Sequence, residues 1–168
     1  MPQLIVASDF DGTLLLGTRP NATIAELLRR NIDAGNKPLI LTARNADHDD
    51  RDWRDEHEPG RVLVPELLDE LGLSIPVVYL NHLPKWRIMP ELRAAWLWDN
   101  DEREIIGCHR AGLAAITSCE ALELFDRSTR CKRCGNDPRL TGVYRTSAAI
   151  ECAICRYQLE TTRKTDKY

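Results

Sequence analysis

Nowhere in its 168 residues does the chain string together the roughly 18 apolar residues that a membrane helix requires, so no span is expected. Its opening, MPQLIVASDFDG, lacks a basic segment followed by an apolar core and a small-residue cleavage site. It reads instead as a strand running into acidic residues, and the expected location is the cytoplasm. Six cysteines in such a setting point away from disulfides, because a reducing cytosol keeps thiols free for metal binding or burial. The four histidines, His48, His57, His82 and His109, show no metal-ligand spacing and read as surface or packing residues. Internal repeats and low-complexity tracts are absent, which excludes solenoid and linker architectures.

What is present divides unevenly. Residues 1–125 carry 13 Lys/Arg against 21 Asp/Glu, whereas residues 126–168 carry 10 against 5. An acidic unit beside a basic one predicts two parts with different tasks, a domain over 1–125 and a smaller one over 126–168, with a boundary near 126–129. The basic part is the natural candidate to meet a polyanion.

Apolar runs at 3–8, 37–42, 76–80, 94–98 and 113–117 read as buried strands, and each is bounded by turn or polar residues. Between the first two, residues 21–34 place Ile24, Leu27, Leu28 and Ile32 at helical spacing, with Asn21 or Thr23 as N-cap and Gly35 as stop. Further helices are expected at 64–71, 89–93, 102–111 and 121–125. Residues 10–20 read as a loop. The charged stretch 45–59 reads as an exposed loop or solvated helix anchored by Trp53. Strand, helix, strand order implies right-handed crossovers and a parallel sheet, so the fold class is α/β.

In such sheets ligands bind outside the carboxyl ends of the strands. Asp9, Asp11, Thr42 and Asp99 stand just beyond strand ends, and Lys85 lies in a connection between strands. Together these side chains have the composition of a phosphate site with a metal. A phosphoryl group carries two negative charges, so a carboxylate nucleophile approaches it only when a divalent cation and a lysine neutralise that charge. Mg²⁺ prefers hard oxygen ligands and keeps several waters, so Asp9, Asp99 and one main-chain carbonyl would suffice to hold it. Asp11, two residues past Asp9, is placed to protonate a leaving oxygen and later deprotonate a water.

The motif DFDGTL at 9–14 resembles the first motif of the haloacid dehalogenase superfamily, whose members hydrolyse phosphoesters through an aspartyl-phosphate. Thr42 in KPLILT, Lys85 in HLPKW and Asp99 in AAWLWDND are similar to the second, third and fourth motifs, in family order over residues 1–125. The resemblance implies a three-layer Rossmann-like parallel sheet. It also implies Asp9 as nucleophile, Asp11 as acid/base and magnesium ligand, Thr42 and Lys85 as phosphate-holding catalytic residues, and Asp99 as a further magnesium ligand. The fourth motif departs from the usual pair of acidic residues by reading Asp99, Asn100, Asp101, which leaves Asn100 or Asp101 for the second role.

Family members acting on small metabolites usually carry an inserted cap, and the segments between the motifs here have room only for ordinary fold elements. An open site is therefore expected, of the kind that admits nucleic-acid ends or proteins. LTAR at 41–44 is similar to a segment of some polynucleotide-end phosphatases, which makes Thr42, Ala43 and Arg44, with Lys85, candidate substrate-binding residues. On general grounds an arginine after a strand is more often solvated or salt-bridged.

Cys131, Cys134, Cys152 and Cys155 form two C-x2-C pairs separated by seventeen residues, the spacing of a four-thiolate zinc ribbon. About forty residues bury little core, so zinc would supply much of that unit's folding energy. Arg130, Lys132, Arg133, Arg139, Arg145 and Arg156, with Tyr144 and Tyr157, are suited to phosphate contacts and base stacking. The alternative is a ribbon that only packs on the first domain or makes a dimer. Cys108 and Cys119 read as small buried hydrophobes.

The leading expectation is a Mg²⁺-dependent phosphomonoesterase acting on a nucleic-acid end, DNA or RNA, or on a nucleotide, with the basic ribbon presenting the substrate. The alternatives are a phosphatase of a small phosphomonoester or phosphoprotein with the ribbon as a structural clamp, and a nucleic-acid-binding module with little turnover.

Overall fold

The structure, a computed structural model, describes residues 3–121, 130–146 and 149–161. Strand β1 (Ile5–Ser8) is followed by a small antiparallel hairpin, β2 (Leu15–Leu16) and β3 (Arg19–Pro20), inside the stretch expected to be a loop. Buried Leu14 and Leu15 pin it to the core, a tertiary contact that periodicity over so short a run does not reveal. Helix α1 (Ala22–Asp33) starts where the Asn21 side chain accepts from the Thr23 and Ile24 amides, and it buries Ile24, Ala25, Leu27 and Leu28. Then come β4 (Lys37–Thr42), a 3₁₀ turn (Ala46–His48), α2 (Arg51–His57) and α3 (Val64–Glu70). The rest of the first part is β5 (Val77–Tyr79), α4 (Lys85–Ile88), β6 (Ala94–Asp99), α5 (Glu102–Arg110) and β7 (Ala114–Thr117).

These strands form one five-stranded parallel sheet in the order β5-β4-β1-β6-β7. Because side chains alternate across a strand, the sheet buries two separate clusters. Val6, Ile40, Trp96, Trp98 and Ile116 meet Ile24, Leu28 and Leu67 from α1 and α3 on one face. Ala7, Leu41, Leu97 and Ala115 meet Met89, Ile105 and Cys108 on the other. Each fully buried aliphatic or aromatic side chain is worth about 1.5–3 kcal/mol. The fold is therefore α/β, with helices on both faces. From β1 the chain builds outward through β4 and β5, then returns to β6 on the opposite side of β1. That reversal opens a crevice at the carboxyl ends of β1 and β6.

The helix expected at 89–93 is displaced to α4, whose first two amides, Lys85 and Trp86, are accepted by the carboxylate of Glu104 at 2.9 and 3.4 Å. That cap comes from nineteen residues downstream, beyond the reach of local propensity. Cys108 is buried as expected, but Cys119 is exposed, in a helical turn over 118–121. The continuation expected over 122–125 and the boundary at 126–129 lie outside the described residues. Among the described residues no helix is long and apolar enough to cross a membrane.

The C-terminal part consists of α6 (Pro138–Thr141) and an antiparallel sheet of β8 (Val143–Arg145), β9 (Ala149–Cys152) and β10 (Gln158–Thr161), in the order β10-β9-β8. It is docked rather than loosely appended, since Val143 and Ile150 join the same buried cluster as Trp96. Gly142, at φ +91°, lies so close that an added Cβ would sit 2.7 Å from Trp96 Cε3. The Asn31 and Asn36 amides donate to the carbonyls of Arg139 (3.4 Å) and Leu140 (3.1 Å), and the Tyr144 hydroxyl donates to Gly112 O (3.4 Å). Asn36 and Gly112 immediately precede β4 and the approach to β7, so these anchors lie at the amino end of the large sheet.

Candidate functional site

Asp9 follows β1, its amide donating to Trp98 O at 2.8 Å, and Asp99 closes β6. Lys85 Nζ lies between them, 3.0 Å from Asp9 Oδ1 and 2.8 Å from Asp99 Oδ2, with all three side chains at most 6% exposed. Thr13 Oγ1 donates to Asp9 Oδ2 at 3.4 Å, and Asp99 Oδ1 accepts from the Asp101 amide at 2.8 Å. Burial, helped by the neighbouring Asp99 charge, pushes the Asp9 carboxyl up to about 7 against the pull of Lys85. Burial alone would pull the Lys85 ammonium down, but the facing carboxylates of Asp9 and Asp99 outweigh it and hold it above its ordinary range. Such a buried triad adds little net stability, because desolvation offsets most of the attraction. Its value is positional: a buried carboxylate is held beside a fixed positive charge.

The turn after Asp9 brings a second group in. Gly12 has φ +76°, and a Cβ there would lie 2.4 Å from the Asn100 amide, so only glycine lets Asn100 pack over the turn. The tip of the Asn100 amide lies 3.0 Å from Asp9 Oδ2 and 2.9 Å from the Asp11 carbonyl oxygen, and with its nitrogen turned to them it donates to both. Asp101 Oδ1 instead accepts from the Arg103 amide at 2.8 Å as the N-cap of α5.

Thr42 ends β4 fully buried, and its hydroxyl accepts from the Arg44 amide at 3.3 Å. The Arg44 side chain holds both oxygens of Asp11, Nε to Oδ2 at 2.8 Å and Nη2 to Oδ1 at 2.7 Å. From the other side Arg44 Nη1 donates to Asp49 Oδ1 and Val62 O, both at 2.7 Å, and the guanidinium lies over the Phe10 ring at 4.6 Å. Asp49 is itself buried and accepts from Tyr79 Oη (2.7 Å) and the Val64 amide (3.1 Å). Arg44 is thus a salt-bridged residue that fixes Asp11. Nothing in the sequence pattern marked Asp49, which is one of many carboxylates in an acidic run and meets Arg44, Val64 and Tyr79, 5 to 30 positions away, only in the fold. Ala43 and Arg44 line a cavity of about 440 Å³ beside Asp11.

The four ribbon cysteines converge at the other end of the molecule, their sulfurs all within 4.8 Å of one another. Cys131 and Cys155 are 3.5 Å apart, Cys134 and Cys152 3.7 Å, too long for disulfides and close to the roughly 3.8 Å edge of a tetrahedral Zn–S₄ site. The cluster can hold zinc. The backbone amide and side chain of Asn136 draw the Cys134 thiol down to about 6, whereas burial pushes Cys152 up to about 12. Cys134 and Gly135 share a cavity with Gln3 and Leu4, which precede β1, and with Ala34–Asn36, which precede β4. The cluster therefore stands at the amino ends of the strands, across the sheet from Asp9. Several ribbon cations are already engaged: Arg139 by Asp137, Arg145 by Glu120 at 3.2 Å, and Arg156 by Glu151 at 2.9 Å and over the Tyr144 ring at 4.1 Å.

No family model and no curated protein matches this chain. Its resemblance to phosphoester hydrolases rests on the motif residues. Of these, Asp9, Lys85 and Asp99 are in direct contact, Asp11 and Arg44 form the cavity wall beside them, and Thr42 lies beneath that wall through its contact with Arg44.

Proposed function

We propose that the crevice at the carboxyl ends of β1 and β6 hydrolyses phosphomonoesters through an aspartyl-phosphate on Asp9, in a haloacid dehalogenase-like, Rossmann-type fold. The observation that carries this reading is the contact of Asp9 with Lys85, which is itself held by Asp99. A carboxylate desolvated beside a fixed ammonium has the electrostatic setting that attack on an anionic phosphorus requires. Asp9 attacks phosphorus, the ester P–O bond breaks, and Asp11 gives a proton to the leaving oxygen. Water then attacks the aspartyl-phosphate, Asp11 takes its proton, and phosphate leaves. For the acid/base step Asp11 turns one oxygen away from Arg44 towards the leaving group. Thr42 and Lys85 hold phosphoryl oxygens, with Ala43 and Arg44 along the path of the leaving group.

The donor set fits Mg²⁺. Asp9 Oδ2 and the Asp11 carbonyl both face the Asn100 amide, so turning its oxygen inward would give three hard ligands on one point. Asp99, the expected further ligand, keeps a buried Oδ2 whose one close neighbour is the Lys85 ammonium at 2.8 Å, so it stands beside Asn100 as a ligand to the ion. Bound there, the ion supplies charge neutralisation at the phosphoryl oxygens.

The substrate class remains a nucleotide or nucleic-acid-end phosphate. The position of the cysteine cluster at the amino ends of the strands favours a clamp over a ribbon that presents substrate to this crevice. Phosphate release with Mg²⁺ tests the proposal. Asp9→Asn should lower turnover by at least about a thousandfold with the melting temperature kept, the scale of losing a nucleophile. Retained turnover in that variant sinks the mechanism.

A further inference from the structure

The cavity of about 440 Å³ beside Asp11 has a wall that phosphate chemistry does not explain. His48 stacks on Trp53 with ring centroids 4.6 Å apart and planes 14° from parallel, and Trp53 stacks in turn on His57 at 5.0 Å and 9°. His48 and Trp53 line the cavity, so His57 backs the stack and His48 is its front ring. His48 is exposed, in a segment rich in charged residues. An ordered ring pile at a surface offers a flat, pre-organised face on which another ring can settle at little entropic cost.

Another part of the lining is polar and conformationally constrained. Asn81 and His82 are consecutive non-glycine residues in the left-handed region, at φ +48° and +65°. Their amides are held by Arg44 O (3.1 Å) and Ala43 O (2.8 Å), and both residues line the cavity. Two such residues in succession cost energy that the surrounding structure must hold, a pattern that gathers at ligand sites. A carboxamide offers both a donor and an acceptor, which matches the edge of a heterocyclic base better than a plain phenol or alkyl group. The cavity size falls within the range of ligand sites, roughly 300–1,000 Å³.

We propose that this cavity is a nucleoside subsite in which the base of the leaving group stacks on His48 and presents its polar edge to Asn81. The proposal rests on the phosphomonoesterase reading for the placement of the phosphate. The charge of the segment that carries His48 and Trp53 also sets a length preference. Asp47, Asp50, Asp52 and Glu56 are exposed on the same segment, and they repel the further phosphates of a polymer. A mononucleotide therefore fits better than the interior of a strand.

The test is calorimetric binding of adenosine 5′-monophosphate, ribose 5-phosphate and phosphotyrosine to the full-length zinc-loaded Asp9→Asn protein with Mg²⁺, read beside wild-type turnover of the same esters. Adenosine monophosphate should bind about tenfold or more tightly than ribose 5-phosphate, the scale of one base-stacking contact. His48→Ala should bring that ratio close to one, and His48→Phe should keep it. Equal affinities, a ratio indifferent to His48→Ala, or phosphotyrosine binding as well as the nucleotide would each overturn the subsite. His48-dependent binding without turnover would instead defeat the phosphatase reading and leave the subsite standing. Turnover of all esters without preference would do the reverse.

Discussion

The two ends of the parallel sheet solve the problem of concentrated negative charge differently. At the carboxyl end, Asp9 and Asp99 are balanced by Lys85, a cation the chain supplies itself. At the amino end, four thiols meet within 4.8 Å, and as thiolates they need an ion from outside. The first arrangement can form without metal and leaves oxygens to spare for a visitor. The second is closed, with four ligands and no open position, as in a structural site. Metal removal should therefore affect chemistry at one end and folding at the other.

The sharpest way to break this contrast is Cys152→Ser. It removes a buried ligand from a site of a type worth about 10–16 kcal/mol to its unit. Zinc content by atomic absorption should fall from about one per chain to near zero, with early melting of the C-terminal sheet. Full zinc occupancy and an unchanged melting curve would mean that the cluster does not hold the fold.

Lys85→Met tests the other end and should cost about 3–5 kcal/mol in denaturant unfolding, because two buried carboxylates lose their shared cation. It also exposes a pH dependence. The folded Asp9 carboxyl is pushed from its ordinary 3.8 up to about 7, so the folded protein holds this proton more readily than the unfolded chain. That contribution to stability is fully present below pH 3.8 and is lost as pH rises through about 7. Without divalent cation, the urea midpoint should drop between pH 5 and pH 8, more steeply in Lys85→Met. A flat profile in both proteins would contradict the burial argument.

Much of this contrast was legible in the sequence, and what was hidden shares a cause. Strand β4 falls on the predicted residues 37–42, because a short apolar run ending in a polar residue carries its own boundaries. The cysteine spacing foretold the cluster, since both knuckles are local. What stayed hidden depends on distant partners. Glu104 sets the start of α4, Asp49 turns Arg44 inward, and Trp96 receives Gly142. Glu104 lies nineteen residues from Lys85 and Gly142 still further from Trp96, while Asp49, only five residues from Arg44, is one carboxylate among many in an acidic run and is singled out only by Val64 and Tyr79 packing on it. The position of the cysteine cluster at the amino end is hidden for the same reason.

The smallest effect sharpens how the two ends are joined. Gly142→Ala would drive a methyl group against Trp96 at a backbone angle that only glycine adopts freely, costing about 1–3 kcal/mol. The melting temperature should fall while zinc stays bound. Loss of zinc in this variant would show that docking and ion retention are one event.

Strand β6 gives that junction a mechanical meaning. Trp96 takes the load of the docked unit, and Asp99, which steadies Lys85, follows three residues later on the same extended backbone, about 10 Å along. The strand acts as a beam with the ribbon seated at one point and the ammonium braced at its tip. Zinc depletion would then wear down the crevice without touching it, and how long the protein keeps working would depend on how tightly its far end is fastened.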